Sequence, residues 1–523
     1  MFNYEVFLAR TTNYLLPWLA LTAQLPYEAG DVIPNIMSFF MALGSPMLLT
    51  FSLMMTIFNR RWLRSKVTRF NSRFPGSPLT ARLREASSLL EVAQQVPLRM
   101  SHRSGWLASL ILLDTNNTWW TRLTTRLLAT RRKLTLSLIT QMLVAVMAWI
   151  LTIIGTFGSE LGSHAEGLVL SSSTLWTWLV PLILGWITVG TQSRANDVSE
   201  VLTADTADLA PFIAGQPFIS SNQEAFCVAD PDSSRHLDLA GFGIHGDEIK
   251  PGPVYNYARI YTWRHTTHQL LNAFETAAHN VHHNRGLDGN NPGPAPALAG
   301  FTLAALQADP SLDSANLAAY SGLPRPSAPE LTVQPTSDEL DTEFGWQVIG
   351  AILTALVVQW GTTSPAIVIA YLTDVKGLGC RSGSYLLYGV FSTAAFLCCV
   401  LSVVCSRQAL LRVQEPMGRG TGFAFHFYRG VSVVLTLLGR VLVLGNSFWL
   451  VVTSLFELIG FFDNCWCEGI VVFKGDKAWV VLFKNAVDLA KTARGPWASG
   501  VALSSCVMLF SYLWFCLLCR KPG

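Results

Sequence analysis

Charge is scarce in this chain: 14% of its 523 residues are Asp, Glu, Lys or Arg, while 50% are hydrophobic. An ordinary soluble domain carries about 25% charged residues. With a mean hydropathy of +0.36, the composition excludes both a usual soluble fold and a charged disordered chain. Catalytic signatures are missing too: the chain has no aspartate-rich DDxxD box, no Walker loop, no dinucleotide fingerprint and no Gly-x-Ser-x-Gly elbow. Chemistry that needs those phosphate cradles or nucleophile turns has no basis here, so any reaction is expected to be cofactor-free. The ten cysteines, at positions 227, 380, 398, 399, 405, 465, 467, 506, 516 and 519, match no zinc or iron–sulfur spacing. No internal repeat links the two halves, which counts against a transporter built on inverted symmetry.

What the chain does have is long apolar runs. A bilayer core needs about 20 apolar residues of helix. Runs of that order extend over Ile36 to Phe58, Leu134 to Gly158, Leu168 to Val189, Trp346 to Leu372, Tyr385 to Cys405, Val431 to Phe462 and Ala498 to Leu518. They predict an all-α polytopic membrane protein with about seven transmembrane helices and a long, partly disordered cytoplasmic loop. A further apolar stretch, Tyr14 to Ala23, is about half the required length and is bracketed by Arg10 and Pro26. It reads as an interfacial or re-entrant segment.

Charge then sets orientation. Residues 59–133 carry 15 Lys and Arg against three acids, which places that loop in the cytoplasm by the positive-inside rule. Arg407, Arg412, Arg419, Arg429, Arg520 and Lys521 follow in phase, whereas Lys474, Lys477, Lys484, Lys491 and Arg494 fall on the opposite side. The expected order is an outer or interfacial segment (1–33), a first span (34–58), the basic loop (59–133), two spans (134–189) and an acidic loop (190–345). Two more spans (346–405), a short basic loop (406–430), a sixth span (431–462), an outer loop (463–497) and a last span with its tail (498–523) complete it. The N-terminus is then outside and the C-terminus cytoplasmic, with the endoplasmic reticulum the expected membrane and the plasma membrane the alternative.

The net charge of +3 hides this division, because 190–345 holds 19 acids and seven Lys and Arg. Its richness in Pro, Gly, Ser and Asp over Asn284 to Pro335 predicts an extended linker, after a helix over Tyr255 to His283. Nothing indicates nucleic-acid binding. The basic loop is expected to lie against membrane lipids, whose anionic headgroups attract each nearby Lys or Arg by about 1 kcal/mol.

Ionisable groups at membrane depth are costly and are the best functional clue. The sixth run holds two, Arg440 and Glu457; at 1.5 Å per residue it would be about 48 Å long, so it must tilt, project or break near Gly445 and Asn446. A buried Glu457 is a candidate proton donor, and Asp463 a second one near the outer interface. Arg440 is a candidate intramembrane charge partner. The competing reading makes Glu457 a water-facing edge residue and pairs Arg440 with a carbonyl or polar side chain. In the soluble segment, His268, Glu275, His279 and His282 fall on one helical face and are candidate zinc ligands, although a solvated polar face explains them as well. Cys380 can reach Cys465 or Cys467 on the outer side, where oxidation is permitted.

The stretches Gln24-Leu-Pro26, Ala42-Leu-Gly-Ser-Pro46, Thr56-Ile-Phe-Asn-Arg-Arg-Trp62 and Gly185-Trp-Ile-Thr-Val-Gly-Thr-Gln192 resemble a family of multi-pass fungal membrane proteins. In being multi-pass, aromatic-rich and free of metal boxes, the chain also resembles the integral membrane terpene cyclases of meroterpenoid, ascofuranone-type pathways. That resemblance implies a lipid-soluble prenylated substrate, an epoxidised farnesyl chain protonated by Glu457 or Asp463, and neighbouring pathway enzymes in the same membrane. It also implies cations steered past aromatic faces, for which Trp149, Trp176, Trp178, Trp186, Trp360 and Trp449 are available. The other reading open to the sequence is a non-enzymatic seven-span receptor or scaffold, or a transporter.

Overall fold

The structure is a computed structural model. It describes residues 7–8, 10–27, 32–100, 106–112, 117–132, 134–158, 164–191, 197–198, 200–201, 226–228, 247–248, 250–283, 314–323, 342–373, 378–413, 421–463, 467 and 486–520. These are mostly helical. In chain order the helices are α1 (Leu16–Thr22), α2 (Val32–Gly44), α3 (Pro46–Arg73), α4 (Leu79–Ala93), α5 (Trp106–Leu112), α6 (Asn117–Ala129) and α7 (Leu136–Gly158). There follow α8 (His164–Leu175), α9 (Leu179–Val189), α10 (Asn256–His282), α11 (Ser314–Tyr320), α12 (Thr342–Thr373), α13 (Cys380–Val413), α14 (Thr421–Leu458) and α15 (Ala486–Cys519). Two short strands, β1 (Leu98–Met100) and β2 (Phe226–Val228), pair antiparallel with Leu98 opposite Val228.

Among the described residues, six helical stretches are long and apolar enough to cross a bilayer: α7, Gly167–Val189, α12, and most of α13, α14 and α15. The bent pair of α2 and α3 makes a seventh if it is counted as one span. Their faces are built for lipid. On α7 the residues Leu138, Met142, Ala145, Trp149, Thr152 and Thr156 recur at helical spacing and are buried, yet the opposite face carries Leu143, Val144, Met147, Leu151 and Ile154, all exposed. A soluble helix would place polar residues there. The α8–α9 stretch is enclosed on nearly all sides and grips its neighbours through hydroxyls. Ser171 donates to the Ala366 carbonyl of α12 (2.7 Å), Ser172 meets Tyr385 of α13 (3.1 Å) and Thr177 meets Ser504 of α15 (2.9 Å).

A second hydrophobic core lies beyond the bundle. Trp62, Leu63 and Phe70 of α3 pack there with Leu83 and Leu90 of α4, Trp120 of α6, Trp263, Leu270 and Phe274 of α10 and Leu317 of α11. The loops 59–133 and 190–345 thus contribute to one helical cap. The expected helix over Tyr255 to His283 forms as α10, after a 3₁₀ turn at Pro253–Tyr255. It is a packed element of that cap and no part of a linker, because its apolar residues find α3 and α4 to bury against. Residues 314–323 aside, Asn284 to Pro335 lies outside the described residues.

One expectation changes. The run from Ile36 to Phe58 is broken: α2 and α3 meet at 100° across Ser45. Pro46 cannot continue a helix from α2, and the Ser45 hydroxyl accepts from the Leu48 amide (3.2 Å), capping a new one. Gly44 lies so close to Val443 and Ser447 of α14 that a side chain would have no room. The sixth run is continuous through Gly445 and Asn446, so of the three ways open to it the break is not used; Asn446 donates to the carbonyls of Gly44 (2.7 Å) and Tyr388 (3.1 Å). The N-terminal stretch packs one face inward and leaves Leu8, Leu16 and Leu19 exposed. A π-helical turn (Thr11–Leu15) and α1 bury Tyr14, Trp18 and Leu21 in the bundle core. At its far end Gln24 bonds Gln141 of α7 and accepts from Arg132.

Candidate functional site

Arg440 and Glu457 sit on the same helix, α14, about 25 Å apart at 1.5 Å per residue. Each is engaged by a segment remote in sequence.

Glu457 is 2% exposed. Its Oε2 accepts from the Arg381 Nε of α13 at 2.9 Å, and its Oε1 lies 3.8 Å from the Arg10 Nε. Arg10 also donates through Nη1 to the Glu457 carbonyl at 2.7 Å, helping to satisfy the last turn of α14. One turn earlier, the Tyr14 hydroxyl meets Ser454 at 2.7 Å. The Arg381 guanidinium lies over the Phe462 ring, 5.6 Å from its centre. Next to Arg381, Cys380 is disulfide-bonded to Cys467 with a Cα–Cα distance of 5.1 Å. Of the two pairings open to the sequence, this is the one formed. A buried carboxylate with two guanidinium groups is an ion-pair centre, and here it joins the N-terminal stretch, α13 and α14. Among the described residues its Oε1 makes no hydrogen bond.

Arg440 turns the other way and donates through Nη2 to Asp247. Asp247 is fully buried, with Lys250 Nζ at 3.0 Å and the Tyr257 hydroxyl donating at 2.8 Å. Burial pushes its carboxyl up, but the positive charges of Lys250 and Arg440 outweigh that and hold it below the usual range. Beside it, Glu248 is pushed well above the usual range by burial, which its bond from Thr262 and the charge of Arg259 oppose only in part. Arg259 of α10 is drawn down to about 9 by burial. It donates to the carbonyls of Gln94, Gln95, Lys250 and Gly252, so one side chain fixes the turn that delivers Asp247 to the bundle.

The remaining candidates are placed as follows. The backbone of Asp463 closes a 3₁₀ turn, Phe461–Asp463, just after α14; its side chain lies outside the described residues. The helical face of His268, Glu275, His279 and His282 turns partly toward α3. His268 packs on Trp62 (5.0 Å between ring centres), Glu275 lies 3.8 Å from Arg73 and His282 approaches Phe74 (6.4 Å). No group of three or more metal-ligating side chains converges among the described residues. Of the tryptophans, Trp149, Trp176, Trp178 and Trp186 are buried in the bundle core, Trp360 donates to Thr393 (3.1 Å) and Trp449 to the Ser384 carbonyl (3.4 Å).

The sequence reading missed Arg10, Arg381 and Asp247. The signal was available for the first two: an acid in an apolar run requires a cation, and both arginines flank apolar runs. Asp247 lies in an acidic loop, where nothing local distinguishes it from its neighbours.

Comparison of the chain with protein-family models, with curated proteins and with solved structures returned no match.

Proposed function

We propose that the chain is a multi-pass membrane protein of the non-enzymatic receptor or scaffold class, with the Glu457 cluster on its extracytoplasmic side. The observation that carries this reading is the double engagement of Glu457 by Arg10 and Arg381: the most buried acid of the bundle serves as the counter-ion that holds three segments together. The disulfide beside Arg381 favours an oxidising compartment at that end, and the arginines of α3 and Arg520 favour the cytoplasm at the other. In this topology the N-terminal stretch runs inward from Arg10 to Gln24, and α2 and α3 form a re-entrant hairpin on the cytoplasmic side. Protease protection of tags at the two termini in sealed vesicles tests it. Both tags on one side would refute it.

A second reading is favoured by one observation, the buried Glu457 Oε1 without a hydrogen bond. It is a cofactor-free membrane terpene cyclase of fungal meroterpenoid metabolism, in which Glu457 or Asp463 protonates a prenylated substrate. Metabolite profiling of a producing strain with and without the gene separates the two. An open-chain isomer of a cyclic product accumulating in the deletion strain would establish the cyclase and overturn the scaffold.

A further inference from the structure

The middle of α3 and the C-terminal end of α15 border a small recess. Its walls are Arg60, Arg61 and Arg64 from α3 and Arg520 just after α15, with Ile57 and Leu518 on the bundle side. Arg131 lies close by, because one carboxylate, Glu91, serves Arg60 (3.1 Å), Arg64 (3.6 Å) and Arg131 (3.1 Å) together. Three guanidinium groups therefore share a single acid, and Arg61 and Arg520 stand beside them in the recess wall. Helix capping explains Arg60, whose Nη1 donates to the last carbonyl of α9, Val189, at 2.9 Å. It explains neither Arg61 nor Arg520, which are exposed and which no carboxylate reaches among the described residues. Guanidinium groups repel one another unless an anion sits between them, and their planar donor forks match phosphate oxygens.

A second feature leads away from the recess. Leu509, Leu513 and Leu517 of α15 follow one another at four-residue spacing and are all exposed, forming an apolar stripe that ends beside Leu518 and the arginines. A cationic mouth above an apolar stripe has the shape of an amphiphile with a phosphate head. The carbon chain would lie along α15 and the phosphate among the four arginines of the recess.

We propose that this recess is a binding site for a phosphate monoester, held by Arg61 and Arg520 with Arg60 and Arg64, and that its ligand is an anionic phospholipid whose chain lies on the α15 stripe. The monoester is preferred to a diester because its second negative charge meets a surplus of four cations over Glu91. The proposal rests on the membrane reading given above and deepens it by naming a lipid class.

The test uses the full chain in nanodiscs of phosphatidylcholine, with thermal unfolding and native mass spectrometry as readouts. Phosphatidic acid at a few mole per cent should be retained as a discrete adduct and raise the melting temperature. Arg61→Gln with Arg520→Gln should weaken retention at least tenfold, while the double lysine variant restores part of it. Both arginines are exposed, so the substitutions leave the fold intact, which an unchanged melting temperature in pure phosphatidylcholine verifies. Glycerol phosphate or inorganic phosphate protecting as well as phosphatidic acid would keep the arginine site but overturn the lipid as its ligand. Equal retention by the glutamine variant, or no adduct at all, overturns the site. Failure of the chain to fractionate with membranes would strike the membrane reading instead, and the two failures are thus told apart.

Discussion

Near its C-terminal end and at its middle, α14 holds its charges in different ways. At Glu457 the acid is on the helix and the cations come to it: Arg381 at 2.9 Å and Arg10 at 3.8 Å, all nearly inaccessible. At Arg440 the cation is on the helix, about one quarter exposed, and a fully buried acid, Asp247, comes to it from the cap. The first arrangement joins elements of the bundle to one another. The second joins the bundle to the cap, and its acid is shared with Lys250 and Tyr257. A charge with several partners survives the loss of one more easily than a charge whose partners are all shut away from water. The Glu457 end should therefore be the more brittle of the two.

The sharpest way to break that contrast is to remove one partner. Arg381→Met leaves Glu457 buried with the longer Arg10 contact alone, and should cost about 3–5 kcal/mol, read as a fall in the unfolding midpoint in detergent. Adding Glu457→Leu should recover much of the loss, since an apolar pair replaces a stranded charge. Opening the disulfide with Cys380→Ser and Cys467→Ser should cost about 2–4 kcal/mol, measured the same way with the parent under reducing conditions as control. At the middle of the helix, Asp247→Asn should cost about 1.5–3 kcal/mol, because Arg440 regains water. A protease that cuts within the cap should detect that change before any probe of the bundle does.

The smallest effect concerns pH. Asp247 has a lowered pKa in the fold, so its stabilisation is present above about pH 4 and is lost as pH falls through the folded value. Glu248 has a raised pKa, so the folded state loses stability as pH climbs above about 4.3 towards the folded value. Glu248→Gln should then match the parent near pH 4 and exceed it at neutral pH, whereas Asp247→Asn should flatten the acid limb. Unfolding midpoints from about pH 2 to 8 check both, and a parent-like slope in Glu248→Gln would remove the assignment.

The contrast also shows what a sequence makes legible. The runs that became α7, α9 and α12 to α15 were read from length and hydropathy, because lipid exposure permits apolar residues on every face. The kink at Ser45 carried its own signal in Gly44-Ser45-Pro46, overridden by the continuity of the apolar run. The residues His268 to His282 lie on one helix, but what covers their face depends on α3, whose length beyond Phe58 hydropathy does not report. The bonds from Arg10 to Glu457 and from Arg440 to Asp247 span hundreds of residues, and no local pattern encodes them. Periodicity locates elements; it does not say which charges meet.

Helix α3 belongs to both cores. Its first half, Pro46 to Ile57, is buried in the bundle and its second, from Trp62 to Phe70, in the cap, along 28 unbroken residues, about 42 Å at 1.5 Å per residue. An unbroken helix resists bending and twisting far better than a loop does. A tilt imposed on the bundle would therefore reach the cap as a swing of the same rod, with the Ser45 kink as its pivot and the arginines as the collar through which it turns.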